Sequence, residues 1–275
     1  MPVSELAKLL DSDDMVILDC RFDLAAPARG ESEYLEAHIP GAVYAHLEHD
    51  LSAPKTGRNG RHPLPSVEAM SDCFSSWGID ESVGVVAYDA GPGQVAARLW
   101  WMLRYLGHER VQVLNGGFNS WKDASLPVRA GRERRARRRF DARPHAEMRI
   151  DLTDLLGARG EHLLIDARDP ARYRGDDEPL DPVAGHIPGA RNHFWQRNLD
   201  ERGFFLPTER LRNEYESLLA DAPREHTVVY CGSGVTACHN LIALELAGVH
   251  GAKLYPGSWS EWCADPERPV ETGDE

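Results

Sequence analysis

One half of this chain repeats the other. Leu18-Asp19-Cys20-Arg21 recurs as Ile165-Asp166-Ala167-Arg168 at an offset of 147, and His38-Ile39-Pro40-Gly41-Ala42 as His186-Ile187-Pro188-Gly189-Ala190 at 148. Val85-Val86-Ala87-Tyr88-Asp89 matches Thr227-Val228-Val229-Tyr230-Cys231 at 142. Gly116-Gly117-Phe118 through Trp121 matches Gly257-Ser258-Trp259 through Trp262 near an offset of 141. Leu126-Pro127-Val128 and Arg268-Pro269-Val270 close the two copies. Matches in one order at nearly constant spacing predict tandem homologous domains. The expected division is 1–128 and 148–275, with an Arg-rich linker over 129–147. A chain of 275 residues is long enough for each copy to bury its own core.

Within each copy, short β-branched runs alternate with longer segments of helical period. Met15–Asp19, 43–44, 83–88 and 111–114 read as strands in the first copy; Leu163–Asp166, 190–192, Thr227–Tyr230 and 253–255 do so in the second. Residues 67–77, 94–106, 151–156, 208–220 and 236–247 read as helices. The strands are apolar throughout rather than alternating, which suits a sheet covered on both faces. The expected fold class is therefore α/β, each copy a mostly parallel sheet flanked by helices on both faces.

Charge and cysteine usage narrow the function classes. A formal charge of −13 argues against nucleic acid as a general partner. The exception, Arg-Glu-Arg-Arg-Ala-Arg-Arg-Arg at 132–139, lies between two structured regions without aromatic residues, and reads as a solvated or acid-paired linker. Nothing approaches the roughly 18 apolar residues that span a bilayer, and the N-terminus shows no apolar export segment. Five cysteines (20, 73, 231, 238 and 263) lie far apart without CxxC spacing, so neither a disulfide framework nor a zinc site is indicated. The expectation is a cytoplasmic protein with no metal, no membrane and no nucleic acid.

The residues that promise chemistry are 228–239, Val-Val-Tyr-Cys-Gly-Ser-Gly-Val-Thr-Ala-Cys-His. A buried strand, a glycine-containing turn and a helix N-terminus make an arrangement that binds anions and lowers a thiol pKa. Cys231 stands at the strand exit, where active sites of parallel sheets lie. A cysteine phosphatase shares such a loop but needs an arginine at Cys-x5-Arg; that position is Ala237, and the loop is one residue too short. Cys20, Cys73, Cys238 and Cys263 read as inert buried thiols.

Three stretches together resemble the rhodanese family of sulfurtransferases: Tyr34-Leu-Glu-Ala-His38-Ile-Pro-Gly-Ala42, Cys231-Gly-Ser-Gly-Val-Thr236, and Ala252-Lys-Leu-Tyr255-Pro-Gly257-Ser-Trp259-Ser-Glu261-Trp262. The resemblance implies two rhodanese-like domains of which only the second is catalytic. Asp89 stands where the first copy would need its cysteine and cannot form a persulfide. It implies that Cys231 takes sulfur from a small-molecule donor as a persulfide and passes it to a thiol or cyanide, with no cofactor. Gly232, Gly234, Val235 and Thr236 would supply the loop around the sulfur. A loop without cationic side chains resembles the 3-mercaptopyruvate branch more than the thiosulfate branch.

The same resemblance implies further roles. Arg172 matches the arginine that binds the donor's carboxylate. Leu180 stands where a second arginine is expected, and Arg174, Arg168 and Arg61 are the cations that could compensate. Ser233, His62 and Glu48 (with Asp50 as the neighbouring alternative) match a serine–histidine–acid relay. His38 and His186 occur in both copies, whereas the cysteine occurs in one, so they read as structural; Asp166 and Arg168 read as a buried pair beneath the site. A thiosulfate:cyanide sulfurtransferase and a persulfide carrier without turnover are the alternative readings.

Overall fold

The computed structural model describes residues 1–10, 12–158, 160–220 and 222–274. It holds two four-stranded parallel sheets. In the first, β1 (Met15–Asp19), β2 (Ala42–Tyr44), β3 (Gly84–Tyr88) and β4 (Val111–Val113) run in the order β2-β1-β3-β4. Its helices are α1 (Val3–Leu6), α2 (Arg29–Glu36), α3 (Val67–Ser76), α4 (Ala96–Tyr105) and α5 (Gly117–Asp123). In the second, β5 (Leu163–Asp166), β6 (Arg191–Asn192), β7 (Thr227–Tyr230) and β8 (Lys253–Leu254) repeat that order as β6-β5-β7-β8. α6 (Leu152–Gly157), α7 (Pro170–Arg174), α8 (Thr208–Leu219), α9 (Ala237–Ala247) and α10 (Ser258–Trp262) flank it.

The central strands β3 and β7 are buried at every position, as continuous apolar runs require. Predicted elements agree with those observed to within a residue or two at their ends. The sequence reading missed the helices α1, α2, α5, α7 and α10, each of eight residues or fewer.

The repeat extends to individual hydrogen bonds. In the first sheet, Arg21 forks onto Asp19, donates to Ala37 O at 2.7 Å and lies 4.2 Å over the Phe118 ring. In the second, Arg168 forks onto Asp166, donates to Gly185 O at 2.7 Å and lies 4.7 Å over the Trp259 ring. His38 stacks on Tyr34 as His186 stacks on Tyr173, each with Nδ1 2.8 Å from the tyrosine's carbonyl oxygen. The tyrosine hydroxyls in turn donate to Ala42 O and Ala190 O. Both histidines thus fix the turn that enters the second strand of each sheet. Trp121 and Trp262 close the copies by donating to Pro127 O and Pro269 O.

The compact units do not follow the sequence repeat throughout. The first comprises Met1–Ala53, Pro65–His145 and Glu201–Phe204; the second comprises Pro54–Leu64, Ala146–Asp200 and Phe205–Glu275. Pro54–Leu64, which the repeat assigns to the first copy, packs in the second unit. Arg61 N–H donates to Ser260 Oγ at 2.9 Å, and a Cβ on Gly60 would lie 2.9 Å from Gly257 O. The Arg-rich stretch lies in the first unit, where Arg132 pairs with Glu31, Arg137 with Asp72 and Arg138 with Asp80. Those arginines are acid-paired rather than a bare basic patch.

Among the described residues no helix is long and apolar enough to cross a membrane.

Candidate active site

In a sheet ordered β6-β5-β7-β8, connections leave the central strands β5 and β7 toward opposite edges, which opens a crevice at their carboxyl ends. Cys231 follows β7 directly and is 2 % exposed. Residues 232–236 form the loop between it and α9. Gly234 adopts φ +73°, and a Cβ there would lie 2.3 Å from Pro256 O, so only glycine fits against the Pro256–Ser258 turn. That turn clamps the loop: Trp259 N–H donates to Cys231 O and Ser260 N–H to Gly232 O, both at 2.9 Å. Cys231 N–H donates to Ser258 Oγ at 3.1 Å, and the same hydroxyl donates to Tyr255 O. Ser258 holds φ +55°, a region costly for a side-chain-bearing residue, where the first copy has Gly117 at +56°. The sequence reading quoted Ser258 only as part of a motif; its departure from the matching glycine was the available signal.

The N–H groups of Gly232, Ser233, Val235 and Thr236 donate to no acceptor among the described residues. In the first unit the matching loop and the start of its helix spend backbone donors on a carboxylate. Asp89, at the position matching Cys231, accepts at Oδ1 from Gly91 N–H (3.1 Å) and Gly93 N–H (2.9 Å). Its Oδ2 accepts from Val95 N–H (2.9 Å) and Ala96 N–H (3.3 Å). Burial pushes the Asp89 carboxyl up, while these four donors pull it down. The loop type therefore holds an anion by backbone donors, and the first copy demonstrates this with its own carboxylate.

His62 and Ser233 meet: His62 Nδ1 lies 2.7 Å from Ser233 Oγ, and both side chains are buried. Glu48 belongs to the first unit, where its backbone N–H donates to His46 Nδ1 at 3.1 Å. Asp50, the neighbouring alternative, accepts from His46 N–H at 2.7 Å, and burial raises its carboxyl.

Two guanidinium groups flank the loop. A Cβ on Gly232 would lie 2.7 Å from Arg61 Nη2 and 3.5 Å from both Nη1 and Nη2 of Arg172. The absence of a side chain at 232 is what lets them approach. Arg172 Nε and Nη2 chelate Glu178 at 2.8–3.1 Å, Arg172 Nη2 reaches Asp181 Oδ2 at 3.1 Å, and Arg61 Nη1 pairs with Asp181 Oδ1. Leu180 is 43 % exposed between the two acids. Of the three possible compensating cations, Arg61 is the one beside the loop. Arg174 pairs with Asp176, and Arg168 is held by Asp166.

The remaining cysteines differ in surroundings. Burial pushes the thiols of Cys20 and Cys73 up, and that of Cys263 up to about 11. Cys238 Sγ lies 3.4 Å from Gly234 O inside the first turn of α9. That turn is anchored by a buried polar cluster the sequence did not reveal. Asn198 donates to Asn240 Oδ1 at 2.7 Å and lies 3.2 Å from His239 Nδ1, while Tyr215 OH donates to Asn198 Oδ1 at 2.9 Å. Among the described residues no group of three or more His, Cys, Asp or Glu side chains could hold a metal ion.

This arrangement, built twice on parallel sheets with a thiol in one loop and a carboxylate in the other, defines a class. The rhodanese-like domain matches residues 2–124 and again 150–265, and the chain belongs to the rhodanese family. It is 47 % identical over 278 residues to a "probable 3-mercaptopyruvate sulfurtransferase" of Pseudomonas aeruginosa, covering 100 % of this chain and 98 % of that protein. A Mycobacterium tuberculosis protein, provisionally named a thiosulfate sulfurtransferase, is 40 % identical over 98 % of this chain and 95 % of its own length. The 3-mercaptopyruvate sulfurtransferase from Leishmania major superposes with a TM-score of 0.87 at 29 % identity, over 98 % of this chain and 75 % of that one.

Proposed function

We propose that this protein is a sulfurtransferase that moves sulfur from 3-mercaptopyruvate to a thiol or cyanide, carrying it as sulfane sulfur in a persulfide on Cys231. The observation that carries this reading is the pairing of a buried thiol with a loop of uncommitted backbone donors, where the matching loop of the first copy spends backbone donors on Asp89. We assign the second domain as catalytic and the first as inactive on that ground.

The chemistry runs in two displacements. The Cys231 thiolate attacks the donor's sulfur; an S–S bond forms and the S–C bond breaks, leaving its electron pair on the enolate of pyruvate. The enolate takes a proton, and the thiol proton carried over with the sulfur is lost to leave a persulfide anion. N–H groups of Gly232, Ser233, Val235 and Thr236, with the N-terminus of α9, stabilise that anion. An acceptor thiolate or cyanide then attacks the outer sulfur and regenerates the Cys231 thiolate. His62 and Ser233, in contact at 2.7 Å, form the proton path, and Glu48 is the acid that the family resemblance implies for it. No metal or organic cofactor is required.

Donor choice rests on the cationic pair. The guanidinium fork of Arg172 matches a carboxylate bidentately, and 3-mercaptopyruvate has one to offer. Arg172→Ala is expected to raise KM for 3-mercaptopyruvate about tenfold or more with a smaller change in kcat, since a ground-state contact is lost. An unchanged KM would remove Arg172 from the donor site. His62→Ala is expected to lower turnover with 3-mercaptopyruvate, whose thiol carries a proton, by about 10²-fold and with thiosulfate much less. Equal losses with both donors would eliminate the relay.

Thiosulfate is the second donor reading, favoured by the same two arginines facing an anion and by the naming of the M. tuberculosis relative. A side-by-side comparison of kcat/KM for the two donors decides between them. If a persulfide forms but no acceptor is turned over, the protein is a carrier. The setting is the cytosol on this reading, where reduced thiols are the acceptors at hand.

A further inference from the structure

Asp181 is a buried carboxylate placed between the two cations of the donor site. One oxygen pairs with Arg61 and the other with Arg172 at 3.1 Å, and its side chain is 3 % exposed. Counting the side chains in this ionic cluster, Arg61, Arg168 and Arg172 face Asp166, Glu178 and Asp181, so the formal charges cancel. Glu178 chelates Arg172 and reaches Arg168, and Asp166 is committed to Arg168. Among the described residues Asp181 alone joins Arg61 to Arg172. Arg61 also retains a buried Nε that donates to no acceptor among the described residues. The two guanidiniums thus touch the loop at Gly232 already neutralised, with a donor left over.

We propose that Asp181 sets the charge preference of the donor site: by cancelling one of the two positive charges of the Arg61–Arg172 pair it favours a monoanionic carboxylate donor over a dianion. The proposal rests on the reading of Cys231 as the sulfur-accepting nucleophile and adds a specificity-determining residue to it. The physical ground is Coulombic. A site's field acts on a ligand in proportion to the ligand's charge, so one unit change in site charge shifts the binding energy of a dianion about twice as much as that of a monoanion. In binding constants, the factor for the dianion is about the square of the factor for the monoanion.

The decisive test is calorimetric binding of pyruvate and of inorganic sulfate to the Cys231→Ser protein, with and without Asp181→Asn. Asparagine keeps the shape of the side chain and removes one negative charge. The expected result is tighter binding of both ions, on the order of fivefold for pyruvate and twentyfold for sulfate. Arg61→Gln removes one positive charge and should reverse the direction, weakening both ions and sulfate by the larger factor. Equal factors for the two ions, or no change in either, would overturn the proposal. If the Asp181→Asn chain does not fold, Arg61→Gln decides alone on the same criterion. Activity separates the two levels of argument. Persulfide formation on Cys231 in the wild type, with an unchanged 3-mercaptopyruvate to thiosulfate ratio of kcat/KM in Asp181→Asn, sinks the role of Asp181 and leaves the sulfurtransferase standing. No persulfide with either donor sinks both.

Discussion

Replacing Cys231 with serine is expected to abolish sulfur transfer from 3-mercaptopyruvate and from thiosulfate alike. The reaction stores sulfur in an S–S bond, and a serine hydroxyl can neither form that bond nor ionise near neutral pH as a thiol does. None of the other four cysteines offers a substitute. Burial pushes the thiols of Cys20, Cys73 and Cys263 up, and Cys238 is enclosed in the first turn of α9. The loop itself should survive, because Gly234 against Pro256 and the Trp259 and Ser260 hydrogen bonds to it do not involve the sulfur. The expected readouts are loss of turnover below a few per cent, loss of the added sulfur in the intact mass after donor treatment, and an unchanged melting profile. Residual turnover above that level, with either donor, would place the nucleophile elsewhere.

The second large effect concerns stability. Asp166 and Arg168 are buried at the end of β5, and Arg168 commits Nε and Nη2 to Asp166. Asp166→Ala leaves a guanidinium out of water with part of its hydrogen bonding gone. Breaking one side of a buried pair costs about 3–5 kcal/mol, far more than the pair's net contribution against an apolar replacement. The second unit should therefore unfold at a clearly lower urea midpoint. The first unit supplies its own comparison, since Asp19→Ala strands Arg21 in the same way and should shift that unit's transition by a similar amount. A midpoint for Asp166→Ala indistinguishable from wild type would show that water or Glu178, 3.3 Å from Arg168 Nη1, takes over the charge.

The fold was legible because its signals are local and doubled. Continuous apolar runs at β3 and β7 read directly as central strands of a covered parallel sheet, and the second copy confirmed each element of the first. Asp89 opposite Cys231 showed from the sequence that one copy lacks the cysteine; the structure added what fills that loop instead, since the carboxylate satisfies four backbone donors. Legibility failed where the decisive contact is remote in sequence. His62 and Ser233 are 171 residues apart, and only a family resemblance linked them. Asn198 with His239 and Asn240 looks in sequence like ordinary polar residues, although the three are buried together under the start of α9.

By itself, then, the sequence determined the repeated α/β architecture, the single cysteine loop and the exclusion of a Cys-x5-Arg phosphatase, because strand burial, turn chemistry and loop length are properties of contiguous residues. The tertiary structure decided which cations attend that loop. Leu180 had left the second donor cation open among Arg61, Arg168 and Arg174. The packing of Pro54–Leu64 into the second unit brings Arg61 to Gly232, and Asp181 to Arg61. Charges act through space rather than along the chain, so the charge beside that loop was written only in the fold.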